Sequence, residues 1–146
     1  MRLIDGAFKA AQKELGVHET GDNNPRILEY LRSCDLDESD QETEGTSWCS
    51  AFVNWCIQQS GGKGTRNAMA RSFQSWGRKL DKPEKGCIVV LWRGSPLAET
   101  GHVGFFYGYS NGDTSKLILL GGNQDDQVCF KEYPTSRVVA YRTSKD

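Results

Sequence analysis

The chain has 146 residues, 37% of them hydrophobic, and a formal net charge of −1. That content supports one compact core and is too short for two ordinary domains, so residues 1–146 are expected to form a single, monomeric domain. The near-neutral charge offers no basic field to hold nucleic acid, and no run of roughly 18 apolar residues is present to insert into a membrane.

In chain order, Leu3, Ala7, Ala10, Ala11 and Leu15 fall near helical spacing, and Gly16 is a natural stop. Charges spread through Met1 to Gly16 leave no uninterrupted apolar stretch, so a secretory signal is not expected and synthesis is assigned to the cytoplasm. After a polar loop, Pro25 is placed to open a second helix that ends near Ser33, with Ile27, Leu28, Tyr30 and Leu31 as its packing face. Residues 35–44 carry Asp35, Asp37, Glu38, Asp40, Glu42 and Glu44 without a basic residue and read as a solvated loop. The third helix is predicted from about Trp48 to Ser60. Its stripe runs Cys49, Phe52, Val53, Cys56 and Ile57, and Gly61-Gly62 closes it.

A short helix is expected over Ala68–Trp76, before Pro83 and Gly86 break the pattern. Strands follow over Cys87–Trp92, His102–Tyr109, Lys116–Leu120, Gln127–Lys131 and Val138–Arg142, with Asn111-Gly112 as a hairpin turn. Helices first and strands second predict an α+β fold in which N-terminal helices pack on a mostly antiparallel, five-stranded sheet.

The chemistry starts from position. A cysteine in the first turn of a helix sits where unsatisfied N–H groups and the macrodipole favour negative charge, and thiolate is the reactive form. Cys49 occupies that place. An imidazole partner is expected to depress its pKa further. The chain has only two histidines. His18, beside Glu19, reads as a surface or capping residue, whereas His102 heads a strand where Gly104 and Gly108 share its face and leave it open. A catalytic imidazole needs a third group to hold its tautomer, and an amide oxygen ending the next strand serves. Asn123 is the choice and Gln124 the fallback. Cys34, Cys56, Cys87 and Cys129 read as structural thiols; an odd cysteine count leaves at least one of the five unpaired.

Other motifs read as structure. Gly61-Gly62-Lys63-Gly64-Thr65 follows a helix and lacks phosphate-loop spacing. The cysteines lack the close pairs of a zinc site. Asp40, Glu42 and Glu44 have the carboxylates that calcium prefers but no EF-hand pattern.

Trp48-Cys49-Ser50-Ala51-Phe52-Val53-Asn54-Trp55, Gly101-His102-Val103-Gly104-Phe105 and Leu120-Gly121-Gly122-Asn123-Gln124 together resemble the CHAP and NlpC group of papain-like peptidoglycan hydrolases. Within it they are similar to a small phage and bacterial family of CHAP-like single-domain proteins. The likeness extends over nearly the whole chain, with Leu15-Gly16-Val17, Glu19, Asn24-Pro25-Arg26-Ile27, Ala70-Arg71-Ser72 and Tyr141-Arg142. It implies Cys49 as nucleophile, His102 as base and Asn123 as orienter, cutting an amide of the wall stem peptide or cross-link through an acyl-enzyme. Trp48, Ser50, Gln124, Phe106 and Trp92 are the candidates for lining the cleft. The chain departs from relatives at Gly86-Cys87, where Gly-Asp is common, and at Ser47, where a proline is common. Ala51 stands where calcium-binding relatives carry a further acid, so no cofactor is expected.

The setting this implies is a phage endolysin reaching the wall after release by a holin or another export route. The alternatives are an injected antibacterial toxin of the same chemistry, a cysteine protease or deamidase acting on protein, and a non-catalytic wall-binding module.

Overall fold

A computed structural model describes residues 1–146. Four α-helices come first: α1 Leu3–Gln12, α2 Pro25–Leu31, α3 Glu38–Gln41 and α4 Cys49–Gln59. A 3₁₀ turn over Ala70–Ser75 leads into six strands: β1 Arg78–Leu80, β2 Ile88–Trp92, β3 Gly101–Ser110, β4 Asp113–Gln124, β5 Gln127–Pro134 and β6 Val138–Thr143. They form one sheet in the order β1-β6-β2-β3-β4-β5, with every neighbouring pair antiparallel. The α+β expectation holds, but the sheet has six strands rather than five. The additional strand, β1, is three residues long with two exposed, so it carries no alternation to read; pairing with β6 at Leu80↔Tyr141 defines it.

The helices follow from local chemistry. Pro25 opens α2 with its φ already helical, and the Asn24 side chain accepts from the Arg26 N–H to cap it. α1 stops at Gln12, short of the expected Leu15. Glu14 is pulled inward instead, accepting from the Tyr30 hydroxyl at 2.7 Å and pairing with Arg26 at 3.1 Å. α4 packs on β3 and β4 with α1 and α2 beside it, and Phe52, Val53, Cys56 and Ile57 are fully buried. Each such large aliphatic or aromatic side chain contributes about 1.5–3 kcal/mol on leaving water, so α4 is the spine of the larger core.

Alternation along the strands splits the apolar residues between two faces. Ile88, Val90, Val103, Phe105 and Leu120 face the helices. Val89, Leu91, Phe106, Leu117, Leu119 and Tyr133 form a second, smaller core on the other face. Asn111 and Gly112 both have positive φ (50° and 75°), the backbone of a twist-matched hairpin turn between β3 and β4. The acidic 35–44 segment is largely exposed, with the single turn of α3 inside it. Glu44 is the exception: it is buried and accepts from the backbone N–H groups of Asn24, Thr20 and Gly21, which hold its carboxyl below the usual carboxylate range. Those bonds tie its carboxylate to the 20–24 loop. No helix is long and apolar enough to cross a membrane, and all five cysteines are free thiols.

Candidate active site

Cys49 is the first residue of α4 and lines an open cleft of about 330 Å³, although only 4% of its surface is exposed. Burial raises the thiol above its ordinary range. The Val103 and Ser50 backbone N–H groups, the Ser47 side chain and the charge of Arg93 pull the other way without overcoming it. The sequence-based expectation of a depressed thiol is therefore reversed in the resting protein. The Val103 amide whose dipole acts on the sulfur belongs to the residue after His102, so the helix start and the strand start lie near one another.

His102 is 1% exposed, and burial pushes its imidazole down to about 4, assisted by the positive charges of Arg93, Arg137 and Lys131. The open face expected around it is closed: the Tyr133 ring lies 5.2 Å away, centroid to centroid. Gln124 Oε1 lies 2.9 Å from His102 Nε2, while Gln124 Nε2 donates to the carbonyls of Cys129 (2.7 Å) and Leu119 (3.3 Å). Those two carbonyls settle which end of the carboxamide is which. An oxygen facing the ring demands that Nε2 carry the hydrogen, which leaves Nδ1 with a lone pair. Nδ1 is the one buried side-chain nitrogen or oxygen in the molecule with no hydrogen-bond partner. A neutral, correctly held imidazole with an unused basic nitrogen is the arrangement a general base requires.

The carboxamide that meets the imidazole is thus that of Gln124, the fallback, and not that of Asn123, the first choice. Pairing of β4 with β5 shifts register between Gly121 and Gln124, and Asn123 adopts φ 58°, so the alternation of side chains slips there. Gln124 turns toward His102, and Asn123 reaches only Ser47 Oγ, at 3.5 Å. Gly121 makes the fold-over possible, because a Cβ there would stand 2.5 Å from Gln124 Oε1. Two adjacent glycines before a carboxamide were the available signal.

The proposed cleft-lining residues are redistributed as well. Trp48 has no exposed surface; it packs against Tyr30 and donates from Nε1 to Glu19 at 3.1 Å. Phe106 belongs to the second core, edge-on to Tyr109. Trp92 is half-buried beneath the Arg137 guanidinium. Ser50 is buried and donates to the Asn67 carbonyl at 2.6 Å, anchoring the loop whose Ala68 and Met69 wall the cleft. Arg93 and Glu99 line that cleft and were not singled out from the sequence; Ser47, named there only as a departure from relatives, lines it too. Each sits beside a motif rather than in one.

Residues 41–123 match the family model described as CHAP domain. Among solved structures, the chain is similar to the peptidoglycan hydrolase RipB from Mycobacterium tuberculosis (TM-score 0.59, 11% identity, covering 98% of this chain and 64% of that one). A P60 domain from an antigen of M. avium subspecies paratuberculosis is similar at TM-score 0.57 and 13% identity, covering 98% of this chain and 94% of that one. NlpC1 from Trichomonas vaginalis is similar at TM-score 0.56 and 17% identity, covering 94% and 43%. At these identities the likeness is one of fold, and this chain spans less than two thirds of the RipB chain. A search of curated proteins finds no match.

Proposed function

The chain belongs to the CHAP domain family, and from that premise we propose that it is a peptidoglycan hydrolase cutting an amide bond of the wall peptide with Cys49, His102 and Gln124. The observation that carries this reading is a thiol at a helix start, open to a cleft, and a buried imidazole one residue before the Val103 amide that acts on that thiol, with its Nδ1 free of any hydrogen-bond partner. In the resting state both groups are neutral. As Cys49 Sγ attacks the amide carbonyl, its proton passes to His102 Nδ1, and the imidazolium then gives that proton to the leaving amine. The Cys49 backbone N–H, unsatisfied at the helix start, helps hold the oxyanion. Water deprotonated by the same nitrogen hydrolyses the thioester and returns the thiol. Gln124 keeps the ring in the Nε2–H tautomer throughout.

The test is digestion of purified cell walls and defined muropeptides by wild-type and Cys49→Ala protein, with mass spectrometry locating the new termini. New amine and carboxyl ends from the wild type alone are expected. Equal release by both proteins, or none by either, overturns the proposal. The resemblance also supports a phage-lysin setting in which protein made in the cytoplasm reaches the wall with a holin. Lysis that is indifferent to holin co-expression excludes it.

A further inference from the structure

The cleft at Cys49 continues through Met69 and Glu99 into a larger depression of about 610 Å³ bounded by Arg71, Gln74 and Leu97. Its outer wall is the β2–β3 connection, residues 93–100, and that loop is fastened from within. Thr100 Oγ1 donates to the Arg93 carbonyl at 2.8 Å, and the Arg71 guanidinium donates to the carbonyls of Pro96 and Ala98. The loop therefore presents its side chains from a braced backbone.

Two of those side chains are charged, opposite in sign, and idle. Arg93 and Glu99 line the thiol cleft together. Neither takes part in any of the ion pairs of the chain, and neither side chain makes a hydrogen bond within the protein. By contrast, Arg71, on the facing wall, is spent on loop carbonyls. Arg93 is the one basic residue lining the thiol cleft, and its charge is felt at both Cys49 and His102. A guanidinium with all its donors free at a cleft mouth matches a carboxylate, which it binds bidentately. A free carboxylate on the same rim matches an ammonium group and repels a purely anionic ligand.

We propose that this cleft selects a peptide segment carrying a free carboxylate and a free ammonium group beside the amide presented to Cys49, with Arg93 taking the carboxylate and Glu99 the ammonium. This inference rests on the hydrolase reading for the identity of the bond cut, but the recognition is a property of the rim. It names the substrate class within wall peptides: segments whose amine and carboxyl near the scissile amide are both unblocked, as opposed to amidated or acylated ones.

The test is binding, measured by fluorescence anisotropy on full-length Cys49→Ala protein, of four synthetic stem peptides: unblocked, amidated at the carboxyl, acetylated at the amine, and blocked at both. The unblocked peptide is expected to bind tightest, with each block weakening it about tenfold. In an added Arg93→Gln background the amidated and free-acid peptides bind alike while the amine preference stays; Glu99→Gln does the converse. Equal affinity for all four peptides, no binding by any, or an acid preference that survives Arg93→Gln overturns the proposal. Because the protein tested lacks the nucleophile, charge selection that persists when wild-type protein cuts no wall condemns the hydrolase reading alone. Cleavage that ignores blocking condemns the charge reading alone.

Discussion

The carboxamide of Gln124 holds the ring of His102 by its Nε2, at 2.9 Å, and leaves Nδ1 unpaired in a buried place. The direction of the contact is set by two carbonyls on the far side of the amide, those of Leu119 and Cys129. One glutamine therefore fixes both the orientation and the tautomer of the candidate base.

Replacing Gln124 by Ala frees the ring to turn and to exchange tautomers. The expected loss in kcat/KM is on the order of 10²-fold, accompanied by about 1–3 kcal/mol of stability from the buried groups left short of partners. Asn123→Ala is expected to stay near wild type in both. Hydrolysis rates and urea titrations on the two variants check this, and a larger loss at Asn123 reverses the assignment.

The depressed imidazole gives stability a pH dependence of known sign. Burial takes His102 from an ordinary 6.5 down to about 4, so between those values the unfolded chain binds more protons than the folded one. The contribution is complete above about pH 6.5 and is lost as pH falls toward 4, by up to about 3 kcal/mol. Urea unfolding at pH 7 and pH 4.5 should show a steeper fall for wild type than for His102→Gln. Equal falls would mean that the ring is not buried as a neutral group.

A thiol raised by burial should alkylate slowly at neutral pH. The rate of iodoacetamide labelling at Cys49, followed by peptide mass spectrometry, is expected to climb through the alkaline range as thiolate accumulates. A labelling plateau already reached near pH 5 would indicate a standing thiolate–imidazolium pair and contradict the neutral resting state.

Close packing between β4 and α4 makes Gly122 intolerant of a side chain. A Cβ at this position would lie 2.8 Å from both the Phe52 Cβ and the Trp48 ring, a fully buried residue of the helix that starts at the nucleophile and the fully buried residue that precedes it. Gly122→Ala is expected to cost about 1–3 kcal/mol. Thermal melts measure it, and an unchanged Tm would show that α4 can shift away from the sheet without penalty.

Much of this protein is written in local pattern. The Cys49–Phe52–Val53–Cys56–Ile57 stripe specifies α4 and places a thiol at its start, because helical periodicity and terminal N–H groups depend only on nearby residues. Pro25 and Asn111-Gly112 likewise mark a helix start and a turn through their own backbone preferences. The order of helices and strands, and with it the α+β class, was legible for the same reason.

What the tertiary structure alone decided are the relationships between distant segments. Whether Asn123 or Gln124 faces His102 depends on a bulge of one strand against its neighbour, and a slip of one residue exchanges the faces of a strand. Strand β1 exists only by pairing with β6. Trp48 and Phe106 went to the core because burial is settled by what folds over a residue, while Arg93 and Glu99 reached the cleft because a loop between two strands happens to border a helix start. Sequence determines which residues are able to react; packing determines which of them meet.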